Sequence, residues 1–250
     1  NFDKSVEFLS KVIEIEPNHS KAHNNLGIVF NSLRQYQKAK YYFEKAIKIN
    51  PKHEEAYNNL GSVFFELDKF ENAIKCYHKA IEINSKHYDA IKNISILFRQ
   101  VSIDVFASVD RERLRKLFLL LYKRDDIEHK DIFLNAKKIL LTKENYIQLK
   151  QTVSFDKLLE KPTINNLLND ELFLLMLQKS LVTDNLFETI LTKTRHEILS
   201  LLIKSNLRIL EKKIKFIISL AEQCFLNEYC FFQSNEEIDL KNQLKVSIEN

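Results

Sequence analysis

Residues 22–30 read AHNNLGIVF, residues 56–64 read AYNNLGSVF, and residues 90–98 give the altered form AIKNISILF. A phrase that returns at a fixed interval of 34 residues constrains the fold more than any overall composition. It means that one supersecondary unit is copied, and that each copy buries its apolar face against the next. The register holds downstream, where Tyr36 pairs with Phe70, Ala39 with Ala73, Phe43 with Tyr77, Ala46 with Ala80 and Asn50 with Asn84. It also runs backwards. Phe2, Ser5, Leu9, Val12 and Pro17 fall on Tyr36, Ala39, Phe43, Ala46 and Pro51, so the chain opens inside the second helix of a unit, and repeat sequence is expected to precede it.

Within one unit the apolar residues follow helical spacing. At about 100° per residue, Tyr57, Leu60, Gly61 and Phe64 share one face of a first helix, and Ala73, Tyr77 and Ala80 share one face of a second. Small residues at Gly61, Ala73 and Ala80 allow a close approach, and the aromatic rings fill the space beside them. This pattern resembles the tetratricopeptide repeat, a helix-turn-helix unit. The resemblance implies an all-α, right-handed solenoid with a concave surface over residues 1–107, in units of about 1–19, 20–53, 54–87 and a partial 88–107. Ser85 departs from it by replacing the closing proline, and the third copy loses the pattern after Phe98.

Composition agrees with helix. Two glycines and three prolines in 250 residues leave little for tight hairpins between strands. Lys and Arg number 38 against 34 Asp and Glu, too even a balance for a nucleic-acid partner. The apolar runs LFLLLY at 117–122 and LFLLML at 172–177 are far shorter than the ~20 residues of a membrane-spanning helix. Cys76, Cys224 and Cys230 are odd in number and lack ligand spacing, which reads as reduced thiols in a cytoplasmic protein without a zinc site or disulfide framework. The oligomeric state is open.

No motif spells out catalysis or a cofactor site. Both glycines lie in helix-packing positions, so no glycine-rich phosphate loop exists. The carboxylate pairs Asp125 with Asp126 and Glu236 with Glu237 read as solvated or capping groups. His19, His53 and His87 recur at the repeat interval, but they sit in successive inter-repeat turns, too far apart to share a metal ion. His23 reads as a packing or groove-edge histidine.

The side of each first helix opposite the packing face carries the candidate binding residues. They are Lys21, Asn24, Asn25, Ile28 and Asn31 in one unit, Glu55, Asn58, Ser62, Phe65 and Glu66 with Asn59 at the margin in the next, then Asp89, Lys92, Asn93, Ile96 and Arg99. The recurring Asn25, Asn59 and Asn93 form a column of amides, each able to donate to and accept from a peptide backbone. This column resembles the asparagine ladder in the repeats of O-linked N-acetylglucosamine transferases, which implies an extended peptide as ligand and makes Asn24, Asn25, Glu55, Asn58, Asn59, Phe65, Lys92 and Asn93 the expected groove residues. The other role open to the column is to fit the superhelix.

Residues 108–250 lack the repeat but still read as helices, expected to cap the solenoid end. Leu114, Leu117, Phe118 and Leu121 share a face over 111–122; Ile132, Phe133, Ala136 and Leu140 over 131–141; and Leu172, Leu175 and Met176 over 170–180. Thr194 with Glu197 and Ser234 with Glu237 predict capping boxes at two helix starts. Leu207, Leu210, Ile214, Ile217, Ala221 and Cys224 predict one long amphipathic helix, and Pro162 with Asn165, Asn166 and Asn169 predicts a loop. KRDDIEHKDIF at 123–133, SLVTDNLFETILTKTRHEIL at 180–199 and SLAEQCFLNEYCFF at 219–232 resemble the helical region that joins tetratricopeptide repeats to a class I S-adenosylmethionine methyltransferase domain in a group of bacterial proteins. That resemblance implies a catalytic domain after residue 250, with no cofactor residue in the chain itself. The expected function is therefore a non-catalytic protein-interaction scaffold forming the amino-terminal part of a larger enzyme. The alternative is the substrate-recruiting region of a methyltransferase or, less in keeping with the residues, of a glycosyltransferase.

Overall fold

The computed structural model describes residues 2–155, 157–180, 184–203, 213–226 and 238–239, with backbone alone for 224–226. All regular secondary structure among the described residues is helical. Contacts divide the chain into two compact units, Asn1–Asp110 and Arg111–Asn250.

In the first unit α1 (Phe2–Ile15), α2 (Ser20–Ser32), α3 (Tyr36–Ile49), α4 (Glu54–Glu66), α5 (Phe70–Ile83) and α6 (Tyr88–Gln100) follow one another. Helices α2 and α3 form one hairpin, and α4 and α5 the next, while α2, α4 and α6 pack side by side. The hairpin turns need a left-handed residue, and with no glycine there the chain uses Arg34 (φ 56°) and Asp68 (φ 55°). In each case the following N–H reaches back to close the helix, Gln35 to Phe30 O at 2.9 Å and Lys69 to Phe64 O at 2.8 Å. The turn between units is closed by asparagine. Asn50 Oδ1 accepts from Lys52 N at 3.0 Å and Asn84 Oδ1 from Lys86 N at 3.1 Å, so the second turn keeps its shape although Ser85 replaces Pro51.

The small residues do what the periodicity demands. Ala39, Phe43, Ala46, Ala73 and Ala80 are fully buried. The Phe43 ring lies flat against Gly27, where an added Cβ would meet it at 2.7 Å, and the Tyr77 ring lies against Gly61 at 2.6 Å. After α6 the pattern breaks: a short 3-10 turn, Ile103–Phe106, follows, and the Phe106 ring packs edge-on against Phe98 at 5.9 Å. The Ser108 N–H and hydroxyl both donate to the Glu71 carboxylate, at 3.0 and 2.5 Å, and tie the end of the unit to α5.

The second unit holds α7 (Arg111–Tyr122), α8 (His129–Leu140), α9 (Lys143–Thr152), α10 (Pro162–Leu168), α11 (Glu171–Lys179), α12 (Asn185–Ile203) and α13 (Ile214–Leu226). The predicted faces of α7 and α8 are buried, with Ile139 taking the place expected of Leu140; in α11 Leu172 and Met176 are buried as predicted, but Leu175 is only half-buried and Phe173 and Leu177 complete the face instead. Phe187 of α12 meets Phe173 at 5.1 Å and Phe133 at 6.4 Å, which places an aromatic cluster at the centre.

Three expectations are corrected here. Pro162 does not mark a loop. It opens α10 at the first helical position, where its missing N–H costs nothing. Thr194 does not cap a helix, because α12 runs through it; it is fully buried and its hydroxyl donates back to Ile190 O at 2.7 Å. Glu197 reaches across instead and accepts from the N–H groups of Leu158 and Leu159, capping the 3-10 turn Leu158–Glu160. In α13 the buried face is Phe216, Ser219, Leu220 and Gln223, while Ile214 and Ala221 are exposed, so the helix is rotated from the expected stripe. Leu207, Leu210, the Cys224 side chain, Cys230, and Ser234 with Glu236 and Glu237 lie outside the described residues.

Candidate binding face of the repeats

The asparagine doublets occupy two columns with different fates. Asn24 and Asn58 are buried, at 2% and 7% exposure. Asn25 is exposed, and Asn59 and Asn93 are half-buried. The columns are stitched diagonally: Asn59 Nδ2 donates to Asn24 Oδ1 at 3.1 Å, and Asn93 Nδ2 donates to Asn58 Oδ1 at 3.0 Å. Each rung joins one first helix to the next. The inner column is thus an acceptor row, and the outer column a donor row that keeps one N–H and one carbonyl per side chain. Lys92, which follows Asn24 and Asn58 in register, is exposed and has no carbonyl to offer.

Around this row lie Glu55, exposed, and Phe65, half-buried with its ring edge-on to Phe70 at 5.7 Å. Ile28 is 42% exposed, and Ile96 is half-buried. Glu66 accepts from the Tyr36 hydroxyl at 3.1 Å. The diagonal pairing was not foreseen from sequence. Its signal was the doublet itself, NN at 24–25 and 58–59 and then KN at 92–93, since a single column would need only one asparagine per unit.

Two of the three histidines that recur at the repeat interval cap helices. His19 Nδ1 accepts from Ala22 N at 3.0 Å and His87 Nδ1 from Ala90 N at 3.3 Å, both capping first helices. His53 is buried without that bond, and its Nε2 has no partner among the described residues. His23 Nε2 donates to Pro17 O at 3.0 Å. Burial pushes the Cys76 thiol up to about 12, so it is protonated and non-nucleophilic at neutral pH. Asp125 pairs with Lys179 at 2.6 Å and Asp126 with Arg124 at 2.7 Å, and each carboxyl is held below its ordinary range chiefly by that hydrogen bond. Among the described residues no group of His, Cys, Asp or Glu could hold a metal, and no helix is long and apolar enough to cross a membrane.

The family model for the tetratricopeptide repeat matches residues 20–53 and 54–87, so these two units are tetratricopeptide repeats. No curated protein matches the chain. Among solved structures, the crystal structure of MamA is similar at 21% identity over 54% of this chain and 77% of that one, with a TM-score of 0.42. Naa15/Naa10 bound to HypK-THB is similar at 17% identity over 96% and 43%, with a TM-score of 0.43. The C-terminal part of a repeat-containing protein from Cytophaga hutchinsonii is similar at 14% identity over 96% and 94%, with a TM-score of 0.37. None of these comparisons supports the methyltransferase resemblance of residues 108–250.

Proposed function

We propose that the repeats form a non-catalytic protein-binding module that holds an extended peptide segment along α2, α4 and α6. The observation that carries this reading is the outer amide row. Asn59 and Asn93 are oriented by their bonds to Asn24 and Asn58 yet retain a donor and an acceptor each. Side chains already fixed in place lose little rotamer freedom when a ligand arrives. Asn25 continues the row, Phe65, Ile28 and Ile96 supply apolar contact beside it, and Glu55 and Lys92 add charges of opposite sign for orientation. Asn24 and Asn58 serve the ligand only by holding the row.

The test is to select peptides from a display library on the chain and to measure their affinity for Asn25→Ala, Glu55→Ala and Lys92→Ala, all at exposed positions. A hydrogen bond worth about 0.5–1.5 kcal/mol predicts a loss of roughly 2- to 12-fold for Asn25→Ala, with an unchanged melting temperature. Selected peptides whose binding ignores all three substitutions would show that the ligand sits elsewhere.

A further inference from the structure

The two matched repeats are alike in packing and opposite in charge. Residues 20–53 carry seven Lys and Arg against one acid, Glu44, whereas residues 54–87 carry four against six acids. Most of the surplus lies on α3. At about 100° per residue, Lys38, Tyr41, Lys45 and Lys48 fall within about 80° of one another, on the side away from the fully buried Ala39, Phe43 and Ala46. Arg34 in the turn before α3 and Lys52 in the turn after it continue the same steps of four and three. All six are exposed except the half-buried Lys45.

Repeat packing does not ask for these cations. In register with Lys38, Tyr41, Lys45 and Lys48, α1 has Lys4, Glu7, Lys11 and Glu14, and α5 has Asn72, Lys75, Lys79 and Glu82. Those helices pair their own charges, Lys11 with Glu7 at 2.7 Å and Lys79 with Glu82 at 2.9 Å. On α3 the one acid, Glu44, pairs at 3.6 Å with Lys40, which lies off the stripe, and the five cations of the stripe have no ion-pair partner among the described residues. Like charges three and four residues apart destabilise a helix, and only Lys48, in the last turn, gains from its dipole. At the middle of the stripe Tyr41 is 52% exposed, its ring edge-on to Tyr42 at 5.1 Å and 5.4 Å below Lys45 Nζ. Lys38 Nζ lies 5.2 Å from the Phe30 ring. These ring contacts position two ammonium groups and leave their charge uncompensated.

We infer that this stripe docks an acidic amphipathic helix of a partner protein, with Asp or Glu at steps of three and four and an apolar side chain over Tyr41. Pitch favours a helix. The cations recur about every 5 Å along α3, as acids on one helix face do, whereas alternate residues of an extended strand recur about every 6.6 Å and drift out of step. Breadth favours a narrow polyanion. A nucleic-acid duplex or an anionic bilayer wide enough to reach the corresponding stripes of α1 and α5 would also meet Glu7, Glu14 and Glu82. The surface is separate from the amide row, because its six residues lie on a second helix and its turns and none belongs to that row.

The probe is a fluorescein-labelled peptide of about 18 residues, the length of the stripe, with glutamates at steps of three and four, one leucine among them and alanine elsewhere. It is titrated into the whole chain at about 50 mM salt and followed by anisotropy. Saturable one-to-one binding is expected, weakened by salt at about 0.5 M and weaker for a peptide of the same composition with its glutamates spread around the helix. An exposed ion pair is worth a factor of about 1.4 to 5, and reversing two charges replaces two attractions with two repulsions. Lys38→Glu with Lys48→Glu should therefore weaken binding at least about fourfold, without lowering the melting temperature and without affecting peptides selected for the amide row. Lys4→Glu with Lys86→Glu changes the net charge equally but lies off the stripe, and should weaken binding far less. Equal losses in the two double variants, equal affinity for the two peptides, or no saturable binding would overturn the inference. A duplex oligonucleotide or a phosphatidylserine vesicle that binds more tightly than the peptide, and is released by Lys38→Glu with Lys48→Glu, would give the stripe to that polyanion and overturn the partner assignment.

Discussion

Gly61→Ala tests the central packing claim with one carbon atom. The new Cβ would lie 2.6 Å from Tyr77 Cε1 and 2.7 Å from Cδ1, where ordinary contact begins at 3.4 Å. The ring would have to withdraw by roughly 0.8 Å, a gap that dispersion and repulsion make expensive in a filled core. Tyr77 is 2% exposed, and its neighbours on the same face, Ala73 and Ala80, are fully buried, so the ring moves only if α5 moves. Overpacking of this kind costs about 1–3 kcal/mol, against a gain of about 0.8–1.0 kcal/mol from replacing glycine inside a helix. The balance is a net loss of up to about 2 kcal/mol, and Gly61→Leu should lose more. The decisive comparison is the same change made beside Tyr77→Ala. With the ring gone, only the propensity gain remains, and Gly61→Ala should then stabilise by about 0.8–1.0 kcal/mol. Hydrogen exchange of the α4 and α5 amides reads this locally, separate from the second unit. A Gly61→Ala chain that gains the full propensity benefit in both backgrounds would refute the close approach.

Glu197→Ala should expose or orphan the N–H groups of Leu158 and Leu159 and destabilise the second unit by about 1.5–3 kcal/mol, the range for hydrogen bonds to a charged group; faster exchange at 158–168 would confirm it, and an unchanged rate would not. His129 is buried, donates from Nε2 to Leu121 O at 3.2 Å and stacks on Tyr122 at 5.0 Å, and burial lowers its pKa from the ordinary 6.5. The unfolded chain therefore takes up the proton first as pH falls, so the stability due to the neutral ring is complete above about 6.5 and is lost below it. Urea unfolding from pH 7.5 to 5 should show that slope, and His129→Gln should flatten it; the lowered carboxyls of Asp125 and Asp126 act in a separate window, below their ordinary 3.8.

The sequence revealed different amounts of the two units, for a physical reason. In the repeats each helix face is written three times, so an apolar residue at one position is checked by its counterparts, and α2 to α6 follow the expected register. The second unit has no such check. A Thr-x-x-Glu pattern is the same four residues whether it starts a helix or lies inside one. What decides for Thr194 is that Leu186, Phe187, Ile190 and Leu191 carry the buried stripe straight into it, so the helix has no reason to begin there. Glu197 was then free to cap a turn 39 residues earlier, a contact that no local motif encodes. In α13 five of the seven residues from Ile214 to Leu220 are apolar and the buried Ser219 is polar, so periodicity alone could not choose the buried side. Helical spacing in the sequence put the asparagine doublets on one side of the first helices, but it did not tell which member of each doublet is buried. Burial of Asn24 and Asn58 beside the exposed Asn25 and the half-buried Asn59 and Asn93 depends on the relative rotation of adjacent first helices.

The same local devices explain why the repeat stops where it does. Positions 34 and 68 supply the left-handed residue that turns the chain from first helix to second, and position 102 is next in register. There Ser102 has φ −62° and ψ 141°, and the preceding Val101 is already extended, so the chain leaves α6 without the tight reversal. A second helix in the usual place would also have needed a ring against Ser95, the successor of Gly27 and Gly61, yet the register puts Arg111 there. The rung that would tie α6 to a further first helix needs a carbonyl at position 92, and Lys92 provides none. Turn, ring and rung fail together within one copy, and each failure removes a contact on which the others depend. The buried Phe98 instead meets Phe106 from the 3-10 turn, and Ile103 and Val109 of the same stretch are also buried, where a repeat would have used a helix.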